Sequence, residues 1–349
     1  LKDHPFLIAI ESTRLGIRAL SCFVVSLVFL PAHAQFDDDG SYQFLHIPVS
    51  SRMAGLGGVN VSLADRDVNF FYANPALNGD TLVGMASVNY QFYAGDVGHA
   101  GITYAHDFKR LGMLTMGVQH MSYGSIEAYD ATGRETGTFN SQETALAISR
   151  SHQIRNYRFG LTLKGIFSNY AGFRSTGIAF DIGGTFIHPE KPLTIGLVLR
   201  NPGIVISDFS GTANSTLPLD VQAGVSFKPE FMPMRFSIAA FNLTGQKIRG
   251  AEGEVGNGGL VQNVLSHFNF GGEVLVHRNV QILVGYNYWR HRELRLESGG
   301  AGAGLSIGLS ASVKSIDFVF SRAGYVAGSA AYSFTLSSDI NKYLKRRSL

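Results

Sequence analysis

From about residue 82 to residue 337 apolar and polar positions alternate with a period of two, the repeat that sends successive side chains to opposite faces of a β-strand. Tyr157, Phe159, Leu161, Leu163 and Phe167 interleave with Arg158, Gly160, Thr162, Lys164 and Ser168. Ile178, Phe180 and Ile182 alternate with Ala179, Asp181 and Gly183, and Leu305, Ile307 and Leu309 with Ser306, Gly308 and Ser310. The pattern predicts fourteen strands, near 82–93, 98–109, 111–124, 138–151, 156–170, 173–188, 191–201, 216–228, 232–243, 264–276, 279–290, 303–314, 315–324 and 327–337. One face is greasy throughout, while the other carries Gly, Ser, Thr and isolated charges rather than the Lys and Glu of a water-facing sheet. That combination predicts an all-β, transmembrane antiparallel β-barrel, apolar outside and polar inside.

The connections support closure. Turns at 109–111, 153–155, 188–190, 229–231, 277–278 and 314–315 are tight, whereas 125–137, 202–215, 244–263 and 291–302 read as long loops. An even strand number puts both termini on the side of the short turns, expected to be periplasmic. Tyr90, Tyr93, Tyr104, Tyr123, Tyr286, Tyr288 and Trp289 near strand ends fit aromatic girdles at the bilayer surfaces.

Composition narrows the class. Of 349 residues 45% are hydrophobic and 16% charged, with 41 Gly and 25 Phe, which suits twisted strands facing something apolar. A net charge of +3 spread along the chain is too weak for a nucleic-acid surface. Arg14 and Arg18 precede the apolar run 19–30, and Ala32-His33-Ala34 follows, so 1–34 reads as a secretory signal peptide. The run would span only about 18 Å as a helix, too short for a bilayer core. Its Cys22 is the one cysteine of the chain, so the mature protein is expected to hold no disulfide. The expected organisation is a signal peptide at 1–34, an inner, plug-like segment at 35–81, the barrel at 82–337 and a basic tail at 338–349.

Catalytic signatures are missing. Eleven histidines show no spacing to a nucleophile or metal, and His99 and His106 fall on opposite faces of one strand. There is no His-Glu-x-x-His, no phosphate loop and no EF-hand, and Asp37-Asp38-Asp39 reads as a solvated linker. No enzyme activity, cofactor or metal is expected.

The segment ahead of the first strand carries Phe44-Leu45-His46-Ile47-Pro48-Val49-Ser50, then Arg52, Gly55, Gly57 and Gly58 in an Arg-x-Ala-x-x-Gly-Gly stretch, then Asn74-Pro75-Ala76. In this order, before an alternating barrel, these motifs resemble the FadL-like outer-membrane superfamily. With Tyr123 to Phe139 added, the chain looks like the PorQ family of the type IX secretion system of Bacteroidota, a relative of PorV. The resemblance implies an outer-membrane barrel that holds a PorZ-like surface protein within an attachment complex containing PorU-like and PorV-like proteins, at a surface of lipopolysaccharide. In such an anchor, external loops would grip the partner, with Ile204, Val205, Ile206 and Phe209 as apolar candidates and Arg134, Lys247, Arg249, Arg292 and Arg295 as polar ones. The alternative is FadL-like uptake of a hydrophobic compound, which requires a movable inner segment. An apolar pocket beneath the external loops favours uptake, and a lumen of paired charges among Arg158, Lys164, Asp181, Arg200, Asp220 and Lys228 favours a sealed anchor.

Overall fold

The computed structural model describes residues 41–244, 260–294, 302–326 and 329–344. The expected signal peptide, Asp37 to Asp39, Lys247, Arg249, Arg295 and the basic end of the tail lie outside the described residues. Fifteen strand segments form one antiparallel sheet: β1 (Met85–Phe92), β2 (Gly98–Phe108), β3 (Gly112–Tyr129), β4 (Glu135–Ile154), β5 (Tyr157–Tyr170), β6 (Phe173–Ile187), β7 (Leu193–Arg200), β8 (Gly203–Ser207), β9 (Asp220–Phe227), β10 (Met234–Ala240), β11 (Phe268–His277), β12 (Val280–Asn287), β13 (Leu305–Val313), β14 (Ile316–Val326) and β15 (Ser329–Asp339). The sheet closes on itself. β1 pairs with β15 from Met85↔Asp339 to Phe92↔Tyr332, and β5 with β6 from Tyr157↔Phe186 to Tyr170↔Phe173.

β7 and β8 are two pieces of one wall strand, so the barrel has fourteen. β7 pairs with 182–187 of β6 and β8 with 176–179 of the same strand. Between them Asn201 takes a left-handed φ of 60°, and Pro202 has no N–H to offer the ladder. The Asn201 N–H turns inward instead and donates to Asp181 Oδ1 at 2.9 Å. Above this break β9 no longer follows: its pairing with β7 ends at Arg200↔Asp220, and β8 pairs with β6 alone among the described residues.

The two faces sort as the alternation requires. Val88, Phe159, Leu161, Leu163, Ile178, Ile195, Leu197, Ile307 and Leu336 are exposed on the outside, while Ser87, Asn89, Thr162, Lys164, Asp181, Gln222 and Thr335 are buried inside. So continuous an apolar belt is stable only against lipid. Tyr90 and Tyr104 belong to that outer face, but Tyr93 and Tyr123 do not. Both have the parity of inward residues Gln91 and Met121, and they pack within the lumen instead of girdling it.

Two boundaries differ from expectation. The stretch 125–137 is no loop: β3 and β4 continue as a paired ribbon to Tyr129↔Glu135, closed by the turn at 130–134. Neighbouring strands stop lower, at Gly98↔Ser122 and Ser141↔Tyr170, so the ribbon stands clear of the wall. At the other end the inner segment runs on through a helical turn, Asp80–Leu82, before β1 begins, and β15 extends to Asp339 before a short helix, Ile340–Leu344.

Candidate functional site

Residues 41–84 lie inside the ring, because their side chains meet inward residues on strands all around it. A short helix, Ser51–Gly55, packs against β12 to β15, and the helical turn Pro75–Leu77 packs against β4, β5 and β6. Asn74 begins that turn: its Oδ1 accepts from Ala76 N–H at 2.9 Å, its Nδ2 donates to Val61 O at 2.9 Å, and Pro75 at the first helical position needs no hydrogen bond. Gly57 and Gly58 have φ of 92° and 91°, turning the chain after the helix so that Gly58 N–H reaches Met53 O at 2.8 Å. Gly55 sits so close to Leu283 and Ser321 that even a methyl group there would lie 3.2 Å from Leu283, tighter than ordinary van der Waals contact.

The wall makes space in return. A side chain on inward-facing Gly160 would overlap the Pro75 carbonyl, one on Gly183 the Asn74 side chain, one on Gly196 the Val61 carbonyl and one on Gly285 the Gly57 backbone. These four wall glycines therefore sit where the inner segment touches the wall.

At the short-turn end Arg52 joins a closed ring of four charges. Its guanidinium meets Glu273 at 2.8 Å and Asp65 at 2.6 Å, and Arg235 meets Asp65 at 2.8 Å and Glu273 at 3.1 Å. Phe70 lies beneath Arg52, 5.2 Å from ring centroid to guanidinium carbon. Burial pushes the Asp65 carboxyl up, but Arg52 and Arg235 more than offset this and hold it well below the usual carboxylate range. Beside this ring a cavity of about 490 Å³ opens between Asp65, Arg66, Leu77, Arg158, Lys191 and Leu193.

Many mid-lumen contacts are hydrogen bonds between neutral side chains. Asn69 donates to Ser87 at 2.9 Å and accepts from Asn89 at 2.9 Å and Thr103 at 3.1 Å. Thr335 Oγ1 accepts from Ser51 N–H at 2.8 Å and donates to Asn89 Oδ1 at 2.7 Å. Lys164 pairs with Asp181 at 2.6 Å and donates to Asn201 Oδ1 at 2.7 Å, pinning the wall break from within. Arg200 donates to Leu45 O at 2.8 Å, while Asp220 receives Gln222 at 2.5 Å and Asn242 N–H at 2.7 Å. Arg158, by contrast, bonds Gln153 at the short-turn rim, and Lys228 lies beyond the last residue of β9.

Near the long-loop end the lumen becomes apolar. Tyr42, Phe44 and Leu45 pack with Met121, Ala145, Ile166 and Ala179, flanked by Tyr123, Val205 and Leu217. Phe209 covers this chamber, its ring 6.2 Å from that of Tyr42 and 5.4 Å from that of Tyr170. Val205 and Phe209 thus turn inward, and their expected place on an outer contact surface gives way to chamber lining. Ile204 and Ile206 extend the strand above the break with exposed side chains. Arg134 stands exposed at the ribbon turn, while Arg292 donates to Ser266 Oγ at 3.1 Å in the helix Tyr288–Glu293. The structure gathers Arg52, Gly55, Gly57, Gly58, Asn74, Pro75 and Ala76 inside the barrel, but leaves Arg134, Ile204, Ile206 and Arg292 scattered over its rim.

Asp65, Arg235, Glu273, Glu143 and Asn201 belong to the lumen as much as any predicted residue. Parity was the available signal for Arg235, Glu273 and Glu143, since each is a charge at an inward position of a membrane strand.

An apolar belt outside, a hydrogen-bonded interior and antiparallel closure over fourteen strands leave one class. The wall is that of an outer-membrane barrel. No family profile and no curated protein matches the chain. Among solved structures, the toluene transporter TbuX of Ralstonia pickettii superposes with a TM-score of 0.50 at 10% identity, over 85% of this chain and 99% of that one. The TodX monoaromatic hydrocarbon channel, as its deltaS2 mutant, gives 0.48 at 12% identity over 84% and 97% of the two chains. A Pseudomonas aeruginosa FadL homologue gives 0.44 at 9% over 84% and 98%. The likeness to TbuX establishes a shared barrel fold.

Proposed function

We propose that this barrel passes an apolar compound across the outer membrane, and that residues 41–84 close it in the state described here. The observation that carries the reading is the apolar chamber at the long-loop end of an otherwise polar lumen. Phe44 and Leu45 occupy it, held from the wall side by an Arg200 hydrogen bond to the Leu45 carbonyl. It adjoins the break at Asn201-Pro202, above which β8 pairs with β6 but not with β9 among the described residues. An apolar solute entering there displaces side chains of its own polarity, and the neutral hydrogen bonds below exchange with water at little cost. The fold of TbuX, a toluene transporter, supports the same direction.

Uptake tests it. Cells carrying the protein should accumulate labelled toluene, or another small apolar compound, faster than cells lacking it, and Phe44→Arg should abolish the difference. Equal rates with and without the protein contradict the reading.

A second reading is an anchor for a PorZ-like surface protein beside PorU-like and PorV-like partners. The motif resemblance supports it, as do the free-standing β3–β4 ribbon and the paired charges Lys164–Asp181 and Arg52–Glu273 that brace the lumen. Native purification of the full chain tests it: a stoichiometric surface partner, lost when 125–137 is shortened, favours the anchor, and a solitary barrel contradicts it.

A further inference from the structure

The apolar chamber has an acidic corner that passage of a plain hydrocarbon does not require. Glu143 on β4 is fully buried and faces the lumen. Its two oxygens receive the hydroxyls of Tyr123 at 2.5 Å and Ser168 at 2.9 Å. No Lys or Arg pairs with it among the described residues. A carboxylate held in that state is costly without a counter-charge, and two hydroxyl donors supply only part of what water gave it.

Aromatic rings surround this corner. Tyr123 and Tyr170 lie 5.7 Å apart, Tyr170 and Phe209 5.4 Å apart edge to face, and Tyr42 stacks on Phe209 at 6.2 Å. Ring faces attract a cation, most strongly where water is excluded. The same cross-strand row bears a second unmet demand: His99↔Met121↔Glu143↔Ser168↔Ser175 are register partners. His99 is buried with Gln119 as its side-chain neighbour, and neither His99 ring nitrogen makes a hydrogen bond of good geometry. His99 is two strands from Glu143, about 10 Å, too far to neutralise it directly. Buried polar atoms left so are where a polar occupant belongs.

Tyr42 seals the corner at a cost to its own backbone. It sits at a left-handed φ of 65° without being glycine, its hydroxyl bonded to Ser175 and its ring over Phe209. Release of that residue would open Glu143 and the ring faces together with the space held by Phe44 and Leu45.

We propose that Glu143 with Tyr123, Tyr170 and Phe209 forms a binding site for an organic ammonium group, borne by an amphiphile whose apolar part replaces Phe44 and Leu45. The inference rests on the passage reading, and names the charge of the solute that the chamber prefers. Glu143 takes the ammonium N–H donors or its positive charge, the rings take its flanks, and the apolar residues beneath take the chain.

Three probes of one chain length separate the possibilities: octylammonium, octanol and octanoate, titrated calorimetrically into the purified full chain in a non-ionic detergent. Octylammonium should bind about tenfold tighter than octanol, and octanoate weaker than either. Glu143→Gln should bring octylammonium to parity with octanol. Phe209→Ala, a substitution at the half-exposed chamber cover, should weaken octylammonium about threefold more than it weakens octanol, which keeps the test open should Glu143→Gln fail to fold. Equal binding of octylammonium and octanol by the native chain, a preference for octanoate, or an ammonium preference intact in both variants overturns the proposal. Binding of all three without head-group preference removes this inference and leaves the passage reading standing, whereas binding of none removes both.

Discussion

Asp65 shows how one side chain ties the inner segment to the wall. It lies in the inner segment yet touches Arg235 of β10, and through Arg52 it is linked to Glu273 of β11. Its carboxyl is held below the ordinary value of 3.8, so the folded state binds the charged form in preference. The stabilisation is therefore complete above about pH 4 to 5 and is lost as pH falls below the unfolded value toward the folded one. Thermal unfolding in detergent should show an acid limb below about pH 4 that Asp65→Asn removes; an identical acid limb in that variant would contradict the ring's role. A second residue-scale test concerns glycine. Gly160→Ala puts a methyl group into the Pro75 carbonyl and should destabilise by about 1–3 kcal/mol, whereas Gly165→Ala on the outer face meets nothing closer than 3.7 Å and should stay near neutral. Equal effects at the two positions would mean that the inner segment does not press on the wall there.

At the scale of elements, parity carried most of what the sequence could tell. Leu161 and Leu163 face out and Thr162 and Lys164 face in because the strand period is two, and no tertiary detail alters that. Leu163→Arg should accordingly cost about 2–4 kcal/mol if the position lies near the bilayer midplane, measured by reversible unfolding into lipid vesicles. A cost near zero would place β5 outside the membrane. Parity also exposes two misplaced tyrosines, since Tyr93 and Tyr123 share the phase of Gln91 and Met121 and so face the lumen. The ribbon at 125–137 was hidden for a different reason. Its Gly, Asp and Thr content reads as loop, but antiparallel pairing of the two arms satisfies the backbone without needing an apolar face. The break at Asn201 was half visible: Asn-Pro-Gly marks an interruption, but that the strand resumes along β6 depends on Asp181 and Lys164, which lie some twenty to forty positions away in sequence.

For the whole molecule, strand number and closure followed from local patterns repeated many times. The site did not. The segment 41–84 gives little periodicity of its own, and its path is set by contacts with wall residues hundreds of positions distant, such as Ser51 with Thr335 and Asn269 with Leu56. Its motifs, Arg52 to Gly58 and Asn74 to Ala76, singled out residues that lie inside the barrel but gave no sign that they meet the charge ring and the wall glycines. The chamber was legible only as a condition, an apolar pocket that would favour uptake, and the chain fills it with its own Phe44 and Leu45.

The central claim is that this inner segment must yield for a solute to pass. Ser51 Oγ lies 3.0 Å from Thr335 Oγ1, close enough for a Ser51→Cys, Thr335→Cys pair to bridge the segment to β15. Toluene entry into proteoliposomes holding this variant, measured before and after reduction, is the most direct test. Slow entry in the oxidised state, restored to the native rate by reductant, is the result expected; an oxidised variant that admits toluene as fast as the native protein would contradict the account.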